Sequence, residues 1–159
     1  PGIPRAHKEA WLQRVARETL ARQRRALELN EALLIPEHPT LKHILVYGQD
    51  DLVTIDLENA FLPGYPLLYA IAYELASLLR SIPAVPETAG LDEVFLEALD
   101  DRDLVRDACR DYSRMTLVRT ARRWSDRVRR DRSKTAAVDQ LAAFVGASSQ
   151  SSRGAPGKS

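Results

Sequence analysis

The sequence predicts a mainly α-helical protein that contains one small β-hairpin. Three patterns indicate this fold class. Apolar residues recur at helical spacing in several long segments, two short β-prone runs flank a turn-forming stretch at 48–51, and the segment Pro66–Ile82 is apolar almost all round. With 45% hydrophobic and 28% charged residues among 159, the composition is that of an ordinary globular protein.

Composition also excludes several classes of protein. The net charge is only +1, from 23 basic and 22 acidic residues, so the chain as a whole is not a polycation for nucleic acid or anionic lipid. Cys109 is the single cysteine, which excludes an internal disulfide and favours a reducing compartment such as the cytoplasm. We expect no transmembrane segment. Because the chain begins at Pro1 and not at Met, we expect it to be part of a longer protein.

The first predicted element is a long helix from Pro4 to about Asn30. A proline is well tolerated in the first turn. One face carries residues spaced for burial, and arginines cover the other face. The buried stripe is Leu12, Val15, Ala16, Thr19, Leu20, Gln23 and Leu27. After this helix, Leu33–Ile35 is a brief strand or a helix end, and Pro36 and Pro39 then force an irregular loop.

The β-hairpin is predicted from two apolar runs, Ile44–Val46 and Leu52–Ile55, which flank the turn-forming residues 48–51. His43 enters the first strand. Asp56 and Glu58 leave the second strand two residues apart, so they would share one face if the strand continued. Antiparallel pairing would bring His43 to the same end, where these groups could act together. Together with His38, they could alternatively form a transition-metal site, although no strong metal-binding spacing is present.

Four further helical segments follow. The helix at Pro66–Ile82 is too short and too charged for a membrane span and is predicted to lie in the core. A short helix is predicted at Leu91–Leu99, a longer one from Asp103 to Arg130, and a last one from Thr135 to Val145 that stops at Gly146. Cys109 is expected to be a packed thiol.

Two segments near the end of the chain differ in composition from the rest. Between Arg119 and Lys134, eight basic residues oppose two acidic ones. This segment is either a solvated helix end or a docking surface for an anionic partner such as a phosphorylated glycan, a lipid headgroup or nucleic acid. The composition of residues 147–159 predicts a disordered tail. We therefore assign residues 1–146 to one folded domain.

The hairpin resembles a known family. The pattern His43-Ile-Leu-Val46, a short turn and then Val53-Thr-Ile-Asp-Leu-Glu58 is similar to the catalytic hairpin of protein-kinase-like phosphotransferases. The nearest relatives by pattern are the lipopolysaccharide kinase and InaA-like proteins of Gram-negative bacteria. The resemblance implies that residues 1–146 are the helical lobe of a kinase-like α+β fold. It also implies an upstream N-terminal lobe, without which this chain alone would be inactive.

The resemblance further implies ATP and Mg²⁺ as cofactors. Asp56 matches the aspartate that holds magnesium, and His43 matches a position close to the metal. The family's catalytic aspartate lies five residues before His43, where this sequence has His38. His38 or Glu37 would then accept the proton of the acceptor hydroxyl, and Lys42 could meet a phosphate as a point charge. The loop Phe61–Pro66 takes the place of the activation segment, and its shortness favours a glycan or small-molecule acceptor.

Three functional hypotheses follow. The first is an ATP-dependent phosphotransferase of the cytoplasm, with the inner membrane surface as an alternative location. The second is a catalytically degenerate kinase-like module that binds or scaffolds, because Pro36-Glu-His38 lacks the usual aspartate. The third is a plain helical domain with an incidental hairpin.

Overall fold

A computed structural model of the protein describes residues 3–47, 51–55, 60–61, 63–64, 66–114 and 134–151. Within them lie five α-helices and one two-stranded antiparallel sheet, which confirms the predicted mainly helical fold with a small hairpin. The helices are α1 (Arg5–Leu29), α2 (Leu67–Ser81), α3 (Asp92–Glu97), α4 (Arg102–Arg114) and α5 (Lys134–Ser151), and the strands are β1 (Ile44–Tyr47) and β2 (Asp51–Thr54).

Helix α2 forms the centre of the core. Every residue from Tyr69 to Leu79 is buried, and the helix contacts α1, α4 and α5. On the α4 side, the rings of Tyr69 and Tyr112 stack with their centroids 5.1 Å apart and their planes at 8°. A fully buried Leu or Ile contributes about 1.5–3 kcal/mol relative to an exposed one. The apolar circumference of α2 therefore explains its central position, as the sequence predicts.

Helix α1 lies along one side of this core. Its predicted stripe is buried except for Leu27, which is half-buried. The helix ends at Leu29 because Asn30 adopts a left-handed conformation with φ of 51°, which Asn tolerates better than most residues. The backbone N–H of Glu31 then donates to the carbonyl of Ala26 at 2.9 Å and closes the helix end.

The segment after α1 is neither the brief strand nor the end of that helix which were the predicted alternatives for Leu33–Ile35. Ala32–Leu34 forms a 3-10 turn, in which the side chain of Glu31 accepts a hydrogen bond from the N–H of Leu33 at 3.0 Å. Pro36 then makes a single antiparallel bridge with Ala60. The N–H of Phe61 donates to the carbonyl of Ile35 at 3.1 Å. The chain therefore enters and leaves the hairpin region side by side.

The hairpin pairs in one register, with Ile44 opposite Thr54 and Leu45 opposite Val53. Strand β2 ends at Thr54, one residue earlier than predicted. The pairing nevertheless extends by one hydrogen bond, since the N–H of Ile55 donates to the carbonyl of His43 at 2.8 Å. His43 therefore lies beside the end of the second strand. Asp56 and Glu58, which are predicted to share that end, lie outside the described residues.

Charged groups join the connection between α3 and α4 to the end of α1. The side chain of Asp101 caps α4 by accepting a hydrogen bond from the N–H of Leu104 at 3.1 Å. The guanidinium of Arg24 on α1 donates to Asp101 and to Asp100, both at 2.9 Å. The predicted helix at Leu91–Leu99 is shorter than expected, because α3 covers only Asp92–Glu97.

Helix α5 corrects one prediction. The sequence predicts a stop at Gly146, but the helix continues through Gly146 to Ser151, so residues 147–151 of the predicted tail are helical. A glycine inside a helix costs only about 1 kcal/mol relative to alanine, which helical neighbours can offset. A stop also requires a left-handed residue after the helix, and Gly146 does not adopt a positive φ.

Two other predictions fall largely outside the described residues. The extension of the fourth predicted helix from 115 to Arg130 lies there, and so does the basic segment apart from Lys134. The ammonium of Lys134 sits 3.6 Å from the centroid of the Tyr73 ring. In the part of the chain that the structure describes, none of the helices combines the length and apolarity needed to cross a bilayer.

Candidate functional site

The hairpin, the loop before it and helices α1 and α2 enclose a small cleft. Its volume is about 50 Å³, which suits a few water molecules or one small polar group. Helix α1 contributes Thr19 and Arg22 to the walls, and α2 contributes Glu74. The loop contributes His38 and His43, while Thr54 and Ile55 come from the second strand and its end.

The turn that carries His43 is closed by its own hydrogen bonds. Thr40 caps the 3-10 turn Leu41–His43, and its hydroxyl accepts from the N–H of Lys42 at 3.0 Å. The carbonyl of Thr40 accepts from the N–H of His43, also at 3.0 Å. The N–H of Ile44 donates to the carbonyl of Leu41. The backbone that presents His43 is therefore fixed on both sides of the residue.

One further hydrogen bond joins this turn to the core. The N–H of Leu41 donates to the hydroxyl of Ser81 on α2 at 3.0 Å, and the same hydroxyl donates to the carbonyl of Leu78 at 2.7 Å. Leu41 and Ser81 are both buried. The hydroxyl thus serves as acceptor and donor at once, which a serine can do and an alanine cannot.

A buried carboxylate lies beneath the cleft. Glu74 is fully buried and accepts hydrogen bonds from Arg22 and from the amide of Gln23, the latter at 2.7 Å. Burial raises the pKa of Glu74, and the charge of Arg22 and the two hydrogen bonds offset only part of that rise. Among the described residues, Nε of Arg22 and Oε1 of Gln23 have no hydrogen-bond partner.

The predicted site residues occupy different positions around the cleft. His38 and His43 both line it, and His43 is half-buried whereas His38 is exposed. Glu37 is half-buried and Lys42 is exposed, and neither belongs to the lining. Asp56 lies outside the described residues. The structure therefore brings together the two histidines of the prediction and leaves Glu37 and Lys42 beside them.

The described lining of the cleft carries two imidazole side chains, those of His38 and His43. Imidazole groups can accept or donate a proton near neutral pH. Among the described residues, no group of three His, Cys, Asp or Glu side chains is placed to hold a metal ion. Magnesium prefers oxygen ligands, and Glu74 is already engaged by Arg22 and Gln23. A magnesium ion at this site would need the carboxylate of Asp56, which follows the lining residue Ile55 in the chain.

Two residues of the site were not singled out from the sequence. Glu74 and Ser81 both lie on α2 and reach partners 52 and 40 positions away in the chain. A signal for Glu74 did exist, because an acidic residue inside an apolar helix requires a buried partner. The inclusion of Gln23 in the predicted buried stripe of α1 pointed to the same network. Ser81 carries no comparable signal, since buried serines often bond only to their own helix.

Comparison with known proteins gives no relative: no family model, curated protein or solved structure matches this chain. The class of protein rests on the fold and the cleft themselves. They define a helical domain in which a hairpin and a histidine-bearing loop are built onto one buried helix.

Proposed function

We propose that this chain is the helical lobe of a protein-kinase-like phosphotransferase that uses ATP and Mg²⁺. The order of elements supports the proposal. A long helix, α1, is followed by the loop with His38 and His43, the hairpin, a short connection and the buried helix α2. This is the order that the resemblance of the hairpin to lipopolysaccharide kinase and InaA-like proteins implies.

The observation that carries the proposal is the shared cleft of His38 and His43. Their side chains line one cavity together with Ile55, the residue before Asp56. The hydrogen bond from Ile55 to His43 joins the two chain segments that would hold the metal and the acceptor. Phosphoryl transfer depends on this kind of positioning, since the protein mainly orients groups and neutralises charge.

Each proposed residue has a separate role. Asp56 would hold Mg²⁺, with His43 next to the metal or a phosphate. His38 would orient the acceptor hydroxyl and accept its proton, a role we assign to it before Glu37 because only His38 lines the cleft. Lys42 is exposed beside the cleft and would meet a phosphate as a point charge.

The acceptor is proposed to be a hydroxyl of a glycan or of a small molecule. Only a short segment, from Phe61 to Pro66, separates the hairpin region from α2. A segment of this length has no room for an extended peptide-docking platform. The cleft volume of about 50 Å³ likewise suits one hydroxyl-bearing group.

The test is phosphotransfer by the full-length protein with γ-labelled ATP and Mg²⁺, offered lipopolysaccharide and simple sugars as acceptors. Asp56→Asn is expected to reduce transfer to background while the circular dichroism spectrum stays unchanged. His38→Ala is expected to lower the rate by about 10²–10⁴-fold, the usual contribution of a general base. His7→Ala is the matched control, since His7 is exposed on α1 away from the cleft. Full activity of Asp56→Asn would exclude the proposed metal role.

A second candidate function is a degenerate kinase-like module that binds a partner without catalysis. His38 stands where the resemblance expects an aspartate. The hairpin also exposes Leu45 and Val53, which pair across the strands, by 48% and 46%, and such patches often mark interaction sites. ATP turnover that is lost in Asp56→Asn would rule this function out.

The proposal places the protein in the cytoplasm, where ATP is available, with the inner membrane surface as an alternative. At that surface, Arg119–Lys134 would dock an anionic partner through its basic side chains. Vesicles that contain anionic lipid test this placement. Binding that weakens with added salt and is absent for neutral vesicles would support it, and equal binding to both would contradict it.

A further inference from the structure

The hydroxyl of Ser81 forms a polar link between the core helix α2 and the loop of the candidate site. It accepts a hydrogen bond from the N–H of Leu41 at 3.0 Å and donates one to the carbonyl of Leu78 at 2.7 Å. We propose that Ser81 is a positioning residue for the cleft, which sets the location of the His43 imidazole and of the backbone of Ile55. The catalytic consequence of this proposal rests on the proposed phosphotransferase function.

A series of hydrogen bonds and adjacent residues connects Ser81 to both sides of the cleft. Leu41 begins the 3-10 turn that ends at His43. The carbonyl of His43 accepts a hydrogen bond from the N–H of Ile55 at 2.8 Å, and Ile55 directly precedes Asp56. A shift of Leu41 would therefore move both sides of the cleft together.

The environment explains why the loss of this hydroxyl would matter. Ser81 is 9% exposed and Leu41 is 8% exposed, so water cannot readily replace the lost acceptor for the N–H of Leu41. The turn would have to move until that N–H finds another partner. Displacements of about 1 Å at a reacting group can lower a rate by about 10²-fold.

Helix α2 also provides a matched control. Ser77 lies one helical turn before Ser81 and is 3% exposed. Its hydroxyl donates to the carbonyl of Tyr73 at 2.8 Å within the same helix. Ser77→Ala and Ser81→Ala thus remove the same atoms from the same buried helix, but only Ser81→Ala removes an acceptor for the loop.

The first measurement follows the three histidine ring resonances of the whole chain by NMR, assigned with single His→Gln variants. We expect Ser81→Ala to shift the resonance of His43 and to leave that of His7 in place. Ser77→Ala should move neither. An unchanged His43 resonance in folded Ser81→Ala would overturn the positioning role.

If Ser81→Ala does not fold, amide hydrogen exchange of the unmodified protein decides the question. The N–H of Leu41 should exchange as slowly as the amides in the middle of α2. It is buried and hydrogen-bonded to Ser81 of that helix, so it should open only when the helix does. Exchange at the rate of an exposed loop amide would contradict the proposal.

The second measurement is phosphotransfer by the full-length protein. Ser81→Ala should lower kcat by about 10-fold to 10²-fold and leave the KM for ATP within about twofold, since it displaces a reacting group without touching the nucleotide. Ser77→Ala should change neither constant. An unchanged kcat despite a shifted His43 resonance would refute the catalytic consequence. If Asp56→Asn remains active, the proposed function fails, whereas the NMR result still decides the position of His43.

Discussion

Arg22 on α1 donates a hydrogen bond to the fully buried carboxylate of Glu74 on α2. This contact joins the two longest segments around the cleft at its floor. The side chain of Arg22 is 33% exposed, so the arginine reaches water while its partner does not. The amide of Gln23 holds the second oxygen of the same carboxylate. Glu74 therefore depends on α1 for both of its polar contacts.

Removal of Glu74 is expected to destabilise the fold strongly. Glu74→Ala leaves the buried amide of Gln23 without its acceptor and opens a cavity in the core. Breaking a buried pair by removing one partner typically costs about 3–5 kcal/mol. We expect about 3 kcal/mol, because Arg22 can turn toward water. Urea unfolding followed by circular dichroism measures the loss, with Glu87→Ala at an exposed position as control. Equal midpoints for the two variants would contradict a structural role.

The same carboxylate predicts a pH dependence of stability. Because the pKa of folded Glu74 is raised above its ordinary value of 4.5, the folded state binds the proton more tightly than the unfolded state. The contribution of Glu74 is then largest below pH 4.5 and is lost as the pH rises toward the folded pKa. The stability of the unmodified protein relative to Glu74→Gln should fall over this range. A difference that is independent of pH would show that the carboxyl titrates normally.

Asp101 is expected to have the opposite pH dependence. Partial burial works to raise its pKa, but hydrogen bonds from Arg24 and from the N–H of Leu104, together with the charge of Arg24, outweigh it and lower the pKa. The stabilisation is then present above the ordinary value of 3.8 and is lost as the pH falls through the lower, folded pKa. Asp101→Ala should cost about 1 kcal/mol at neutral pH, the usual value of a helix cap.

Asp100 is the matched control for that experiment. It also pairs with Arg24, but its side chain is 66% exposed, and exposed ion pairs contribute little. Thermal unfolding of Asp100→Ala should match that of the unmodified protein within about 0.5 kcal/mol. A larger effect at Asp100 than at Asp101 would mean that the helix cap is not the main contribution.

The single thiol is expected to be inert. Burial, with a smaller contribution from the charge of Asp139, raises the pKa of Cys109 to about 12. At pH 8 the thiolate is then about 10³-fold scarcer than for an unperturbed thiol, and alkylation slows accordingly. Reaction with a thiol reagent should be slow in the native protein and complete in guanidinium. Rapid native labelling would show that α4 and α5 separate readily around Cys109.

The elements that follow local patterns were predictable from the sequence, and the contacts between distant segments were not. The apolar stripe of α1, the apolar circumference of α2 and the two runs of the hairpin depend on neighbours within one or two turns. The end of α5 was missed because a glycine permits a helix stop without enforcing it. The contacts of Glu74 and Ser81 depend on which helix packs against which loop. Residues near them in the sequence do not indicate that arrangement.

For the candidate site, the sequence identified the two histidines that share the cleft. His43 followed from the expected pairing of the hairpin ends, and the N–H of Ile55 does donate to its carbonyl. His38 followed only from the resemblance to the kinase-like hairpin. The sequence could not show that His38 lines the cleft and Glu37 does not, since no regular backbone geometry sets the directions of side chains in an irregular loop. That difference depends on the path of the loop after Pro36, which the bridge to Ala60 determines.

The bridge between Pro36 and Ala60 has a consequence for how this protein could diversify. The segment between Pro36 and Ala60 leaves and rejoins the helical part of the protein at one place, because its two ends are hydrogen-bonded to each other. Lengthening the hairpin tip adds only the slowly growing entropy of a larger loop and leaves these two ends in position. Insertions at the tip could therefore be accommodated while the buried helix and its anchors remain as they are.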